Sequence, residues 1–371
     1  MEPVVQVWQF DFGAVKAAAE GYIPVSADTR YEEAAGYGFT NAGSVTNISR
    51  DEETGLRCTS LIPVNASFRI DVPDGNYRID LLIGDARFET ETSVRGEEGQ
   101  LLLHRLHTPA GHFERYSFAV QAVDGTIILT FSGRAPRIAA LEVRSVPSSS
   151  IYIAGDSTVT NQPAEMYPYA GWGQMLPLYI KPDLVVRNFA LSGRSSRSFI
   201  TEGVLDRIVK RLKPNDYVLI QFGHNDQKLD EARHTDPFTT YKEHLKVYID
   251  ACRERKATTV LITPVHRRHF DSEGTLIDTH GDYIAAVRQL AEEEQVPLVD
   301  LAAMSAELFA RLGPEGTKSI FMWGAPGEFI RFPDGVRDDT HFQEWGAIRL
   351  AELVAQGLKQ QQLEQLHMYL K

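Results

Sequence analysis

The sequence predicts an all-β sandwich over residues 1–147 followed by an α/β domain with a parallel sheet over residues 148–371. Three observations carry this. The chain has 371 residues, more than one ordinary domain holds, and enough for two cores. Up to Val143, short stretches alternate apolar and polar residues between turn signals, and helical periodicity is scarce. From Ile151 onward, apolar β-rich runs alternate with amphipathic stretches, the pattern of a parallel sheet covered on both faces. Between them, Pro147-Ser148-Ser149-Ser150 has the small polar residues of a linker.

In the first part, Phe68–Val72 and Tyr77–Leu81 alternate on either side of the turn Pro73-Asp74-Gly75-Asn76, as two arms of a hairpin would. Thr126–Phe131 and Arg137–Val143 repeat this around Ser132–Pro136, and several such strands suggest a sandwich. In the second part, strands are predicted at Ile151–Ala154, Asp183–Leu191, Tyr217–Phe222, Thr258–Thr263 and Val296–Leu301. Val204, Leu205, Ile208, Val209 and Leu212 form one helical stripe that Lys213-Pro214-Asn215-Asp216 stops. Further helices fit Tyr283–Glu294 and Glu344–Gln360. Right-handed crossovers then gather the strands' C-terminal ends along one edge, where open α/β sheets bind ligands.

Composition narrows the function classes. Hydrophobic residues at 43% and charged residues at 24% describe an ordinary globular chain. A net charge of −12 opposes non-specific binding to nucleic acid or an anionic membrane, and no apolar run reaches spanning length. Met1-Glu2-Pro3-Val4 is acidic where a secretory leader is basic, which predicts a cytoplasmic chain. Cys58 and Cys252 fall in different predicted domains, offer no metal cluster, and read as small hydrophobes.

Four blocks fall at the predicted catalytic edge. The first strand ends in Gly155-Asp156-Ser157-Thr158, which sets a serine at its lip; a serine hydroxyl attacks only when a base takes its proton. Alone, this is an ordinary turn or helix cap. The second strand ends in a run through Ser192-Gly193-Arg194-Ser195, where Gly193 lets a backbone N–H approach an oxyanion, or simply makes a turn. Gln221-Phe222-Gly223-His224-Asn225-Asp226 presents the Asn225 amide, a further oxyanion donor or an Asx turn. Near the C-terminus, Val336-Arg337-Asp338-Asp339-Thr340-His341-Phe342 places Asp338 three residues before His341, close enough to reach Nδ1 and aim Nε2 at a nucleophile. Each block is weak alone; their joint order is the signal.

Together, Gly155-Asp156-Ser157, Gly193, Gly223-His224-Asn225-Asp226 and Asp338-Asp339-Thr340-His341 resemble the four blocks of the SGNH, or GDSL, hydrolase superfamily. Gly171-Trp172-Gly173, Ser192-Gly193-Arg194-Ser195 and Asp339-Thr340-His341-Phe342 resemble its rhamnogalacturonan acetylesterases. The resemblance covers the chain from Ile151 onward. It implies a flavodoxin-like three-layer α/β/α domain in which Ser157 attacks an ester carbonyl, His341 accepts its proton and Asp338 orients His341. It also implies an oxyanion hole from the N–H groups of Ser157 and Gly193 and the amide of Asn225. These relatives commonly carry Asn at the position of Asp339, so two adjacent acids, Asp338 and Asp339, compete for the third role. The Gly-x-Ser-x-Gly elbow of ordinary α/β-hydrolases is absent around Ser157.

A pectic substrate carries galacturonate carboxylates, and cations should line its cleft. Arg194, Arg197 and Lys228 lie near the oxyanion blocks, and Arg267, with Arg268 and His269, follows the fourth strand; the same residues also read as a solvated basic loop. Trp172 could stack on a sugar face, but packing at a helix start is the expectation. Phe10-Asp11-Phe12-Gly13 and Pro73-Asp74-Gly75-Asn76-Tyr77 resemble the galactose-binding-like sandwich joined to such esterases. The expected activity is deacetylation of rhamnogalacturonan oligosaccharides, with an acetylated oligosaccharide as partner and no metal or organic cofactor. The alternatives are an esterase for acetylated xylan or small acyl esters, and a non-catalytic carbohydrate-binding protein, against which the set Ser157, Asn225 and His341 argues. Oligomeric state is not legible.

Overall fold

The computed structural model describes residues 5–13, 18–41, 44–50, 55–361, 363 and 365–371. The Met1–Val4 segment, on which the expectation of no leader rests, lies outside them. Among the described residues no helix is long and apolar enough to cross a membrane. The chain divides into two compact units, one taking residues up to Ser148 with Ile180–Val185, the other Ser149–Tyr179 with Val186–Lys371.

The first unit is a β-sandwich. Its strands are β1 (Val7–Phe12), β2 (Ile23–Val25), β3 (Tyr37–Phe39), β4 (Val45–Ser49), β5 (Thr59–Pro63), β6 (Ala66–Asp71), β7 (Gly75–Gly84), β8 (Thr90–Arg95), β9 (Leu101–Thr108), β10 (Phe113–Ala122), β11 (Thr126–Ser132) and β12 (Ala140–Ser145). One sheet runs β10-β7-β12-β1-β2, the other β3-β6-β11-β8-β9, and β4 pairs with β5. Inward-facing residues fill the space between the sheets, with the Phe68 ring edge-on to Phe10, Phe12 and Phe39 at centroid distances of 5.3, 5.2 and 5.0 Å.

The two predicted hairpins are corrected here. β6 bonds to β3 and β11, whereas β7 bonds to β10 and β12, so the Pro73–Asn76 region carries the chain from one sheet to the other. β11 and β12 likewise lie in opposite sheets. Alternation reports that each arm buries one face; it does not say which strand lies alongside. The crossing is pinned locally, as the Tyr77 hydroxyl donates to Pro73 O at 2.7 Å and Gly125 N donates to Asp74 Oδ1 at 2.8 Å.

The second unit contains β13 (Ser150–Gly155), β14 (Tyr169–Ala170), β15 (Val185–Asn188), β16 (Tyr217–Gln221), β17 (Thr258–Ile262), β18 (Leu298–Val299), β19 (Phe321–Gly324) and β20 (Val336–Gln343). Its helices are α1 (Trp172–Met175), α2 (Ser196–Thr201), α3 (Val204–Val209), α4 (Lys242–Glu254), α5 (Asp282–Glu294), α6 (Leu301–Gly316) and α7 (Glu344–Gln360). The main sheet has the order β15-β13-β16-β17-β18, with the β13–β16, β16–β17 and β17–β18 pairs parallel. Every residue of β13 and β16 is buried, as a sheet covered on both faces requires. Tyr152, Ala154, Val218 and Ile220 share one core cluster with α2–α5. On the other face, α7 lies so close to β18 that a Cβ at Gly357 would come within 2.5 Å of Val299 Cγ1.

This strand order is the flavodoxin-like one, and it opens a crevice beyond the C-terminal ends of β13 and β16, where the connections change direction. The second predicted strand is shorter than expected, yet the extended chain continues past it: Phe189 N and Leu191 N donate to Ile153 O and Gly155 O at 2.9 and 3.0 Å. A small antiparallel sheet of β14, β20 and β19 had no counterpart in the predicted elements. Its strand β20, Val-Arg-Asp-Asp-Thr-His-Phe-Gln, is largely polar and half-buried, so it carries no alternating apolar signal.

Candidate active site

The serine turn is built by its own neighbours. After β13, the Asp156 carbonyl accepts from Val159 N and Thr160 N, both at 3.1 Å, and Asp156 Oδ1 takes the Thr158 N–H at 2.9 Å and the Thr158 hydroxyl at 2.7 Å. The turn is then clamped from below. Trp172 Nε1 donates to Gln221 Oε1 at 2.9 Å, and Gln221 Nε2 donates to Thr158 Oγ1 at 2.8 Å. Trp172 is fully buried, as its packing role predicts, and the glycine beside it is needed for space: a Cβ at Gly171 would lie 2.4 Å from Thr160 O.

This clamp leaves Ser157 Oγ 2.9 Å from His341 Nε2. On the other side of the ring, His341 Nδ1 lies 2.7 Å from Asp338 Oδ2, while Asp338 Oδ1 accepts from Thr340 N and His341 N at 2.8 and 3.0 Å. Burial alone would raise the Asp338 carboxyl, but His341 and these backbone donors outweigh it and hold it at about 2. Asp339 turns elsewhere: its Oδ1 accepts from Arg268 Nη1 and Trp323 Nε1, each at 2.9 Å. The Tyr169 ring packs against His341 at 5.0 Å between centroids. Nothing in the sequence singled Tyr169 out, since its contact depends on the pairing of β14 with β20.

The other two blocks meet beside this relay. Asn225 Nδ2 donates to Arg194 O at 3.0 Å, which ties the turn after β16 to the Gly193 turn after β15. Gly193 has φ +82 and open space where a Cβ would stand. Among the described residues, the N–H groups of Ser157 and Gly193 have no protein acceptor. Asp226 braces the pair of loops from inside. Its carboxyl accepts from Ser196 N and Oγ, Gly223 N and Thr235 Oγ1 at 3.0, 2.5, 3.0 and 3.2 Å, and burial pushes it up to about 7. Tyr241, Tyr248 and Tyr283 reinforce the brace by donating to Phe222 O, Ser196 O and Asp226 O. Asp226 ends the Gly223-His224-Asn225-Asp226 motif, but nothing in the spacing marks it as a buried acceptor.

A second Asp and His pair lies behind the first. His224 Nδ1 is 3.3 Å from Asp156 Oδ2, and both side chains are almost wholly buried. Burial would raise Asp156, but His224 and the Thr158 donors bring it below the usual carboxylate range; burial pushes His224 down.

The four predicted cations separate. Arg194 is spent on Glu202, Nε to Oε2 at 2.9 Å, and on Ser192 O. Arg197 is close enough to His244 to help push its pKa down, after burial. Arg267 and Lys228 flank the Asn225 block: Arg267 Nη2 donates to His224 O at 3.2 Å, and Lys228 N donates to Asn225 O at 3.1 Å.

Residues 153–347 match the GDSL-like lipase/acylhydrolase family, and residues 8–143 match a galactose-binding-like domain described as beta-agarase/YXIM esterase-like. The chain belongs to the GDSL-like lipase/acylhydrolase family. This esterase is 32% identical over 374 residues to the uncharacterized esterase YxiM of Bacillus subtilis, covering 96% of this chain and 91% of that one. The crystal structure of the Bacillus subtilis protein YxiM superposes with a TM-score of 0.53 at 31% identity, covering 96% of this chain and 99% of that one. A rhamnogalacturonan acetylesterase, RhgT of Bacillus subtilis, is 43% identical over 210 residues, which are 57% of this chain and 89% of RhgT. The expected order, sandwich first and esterase domain second, is thereby established.

Proposed function

We propose that this esterase removes acetyl groups from rhamnogalacturonan oligosaccharides through an acetyl-enzyme on Ser157. The observation that carries the chemistry is the relay from Ser157 Oγ to His341 Nε2 at 2.9 Å and from His341 Nδ1 to Asp338 Oδ2 at 2.7 Å. In this reading His341 takes the Ser157 proton as Oγ attacks the acetyl carbonyl, and the ionised Asp338 stabilises the imidazolium that forms. The N–H groups of Ser157 and Gly193 and the second N–H of the Asn225 amide, the first being spent on Arg194 O, receive the oxyanion. His341 then gives that proton to the sugar oxygen as its bond to the acetyl carbon breaks, and the sugar leaves as a free hydroxyl. Water, activated by the same imidazole, cleaves the acetyl-Ser157 ester and releases acetate.

The substrate is drawn from the likeness to RhgT over the catalytic portion and from the cations beside Asn225. The test is acetate release from acetylated rhamnogalacturonan fragments, acetylated xylan and 4-nitrophenyl acetate by the wild type and Ser157→Ala. The proposal predicts preference for the first substrate and loss of all three activities in the variant. Equal turnover of the three would remove the pectic reading, and unchanged activity in Ser157→Ala would remove the mechanism.

A further inference from the structure

Arg267 is a half-buried guanidinium with no carboxylate in contact among the described residues. Its Nη1 donates to Gln227 Oε1 and Thr279 Oγ1, both at 3.0 Å, and its Nη2 to His224 O at 3.2 Å. These acceptors are neutral. A guanidinium carries five N–H donors, so this census leaves Nε–H and one Nη2–H unspent. Nε and Nη2 are the edge with which Arg50 grips Asp85 elsewhere in the molecule, at 3.0 and 2.9 Å. Arg267 therefore keeps Nε–H and one Nη2–H without a protein acceptor among the described residues.

Its surroundings are short of negative charge. Lys228, three residues after Asn225, has no carboxylate within ion-pair distance among the described residues; burial, then Arg233 and Arg267, push its ammonium down. Asp230, two residues further on, is paired with Arg233 at 2.6 Å and acts on Lys228 only through space. Asp156 acts on Arg267 only at a distance and lies fully buried beneath, facing His224. His224 is influenced by both Arg267 and His341, so Arg267 stands close to the relay.

We propose that Arg267, with Lys228 beside it, forms a subsite for the carboxylate of a uronic acid residue neighbouring the acetylated sugar. This rests on the rhamnogalacturonan reading and adds the group that recognises the charged backbone of the substrate. Arg267 takes the carboxylate as a fork, which fixes the ring's orientation, and Lys228 supplies a point charge at the exposed side. Holding the chain there sets which acetyl group reaches Ser157.

The experiment compares kcat/KM on acetylated rhamnogalacturonan oligosaccharide with kcat/KM on the same oligosaccharide after its carboxyl groups are reduced to alcohols. The wild type should favour the carboxylated form by about tenfold or more, the size of one charge-assisted contact. Arg267→Gln should bring that ratio near one, Arg267→Lys should restore part of it, and Lys228→Gln should lower it by a smaller factor. A merely structural loss in Arg267→Gln would lower both rates together and leave the ratio, and an unchanged ratio overturns the subsite. So does a wild-type ratio near one. If the wild type cleaves 4-nitrophenyl acetate but neither oligosaccharide, the rhamnogalacturonan reading has failed, a result distinct from failure of the subsite alone.

Discussion

In the sandwich, the buried Asp85 carboxylate lies between two arginines, with Arg50 Nε and Nη2 on its two oxygens and Arg137 Nε at 3.0 Å; in the α/β unit, the equally buried Asp156 and Asp226 touch no arginine or lysine among the described residues. The electrostatics diverge accordingly. Burial would raise Asp85, but Arg50, the Arg87 N–H and Arg137 bring it below the usual range, whereas Asp226, held by hydroxyls and backbone N–H groups, is pushed up to about 7. A carboxylate neutralised by cations holds strands together and is finished as an interaction. One wrapped in neutral donors organises loops without cancelling the charges of the nearby site, and that is where Ser157, Gly193 and Asn225 sit. The difference separates a buried acid that joins strands from one that braces the loops of the candidate site.

The largest effects should come from the relay. Ser157→Ala and His341→Ala should each lower kcat by about 10⁵ or more, measured as acetate release, with unfolding curves close to wild type. Asp338→Asn should cost about 10⁴ because the amide no longer holds the required tautomer. Asp339→Asn keeps an acceptor for Arg268 and Trp323 and should stay within about tenfold; equal losses in the two variants would erase the distinction between the adjacent acids.

Asp85→Ala strands Arg50 and Arg137 and should cost about 3–5 kcal/mol in chemical unfolding, while the folded fraction keeps its kcat. A loss of kcat in that folded fraction would break the contrast between the two units. Asn225→Ala should raise the barrier by about 3 kcal/mol with little change in stability, as removal of one oxyanion donor does.

The smallest effect is a slope with pH. Asp226 has a folded value of about 7, above its ordinary 3.8, so between these values the folded state binds more protons than the unfolded one. Its contribution therefore falls as pH rises from about 4 to about 7, and Asp226→Asn should flatten that trend in unfolding midpoints. Asp85, held below its ordinary value, contributes the opposite slope, with stability present above about 4 and lost as pH falls further.

The meeting of Ser157 with His341 was legible because strand order and motif order point to the same edge. Spacing favoured Asp338 over Asp339 as the acid that faces the imidazole but left a swap open, and the backbone of β20 decides between them. Tyr169 escaped for a similar reason: a two-residue strand leaves no periodicity to read. In the sandwich, alternation over Phe68–Leu81 located both strands but assigned them as partners, because one-sided burial looks the same in a hairpin and in a crossing between sheets. Arg267 was legible as a candidate cleft cation or a basic loop residue without a choice between them; its unspent donors emerge once the positions of Gln227, Thr279 and His224 are known.

The most direct test of the central claim is acid-quenched turnover of 4-nitrophenyl acetate followed by peptide mapping. The account predicts an acetyl group on the peptide containing Ser157, located to that residue and absent in Ser157→Ala. Acetylation of a different side chain, or steady turnover in Ser157→Ala at the wild-type rate, would contradict it.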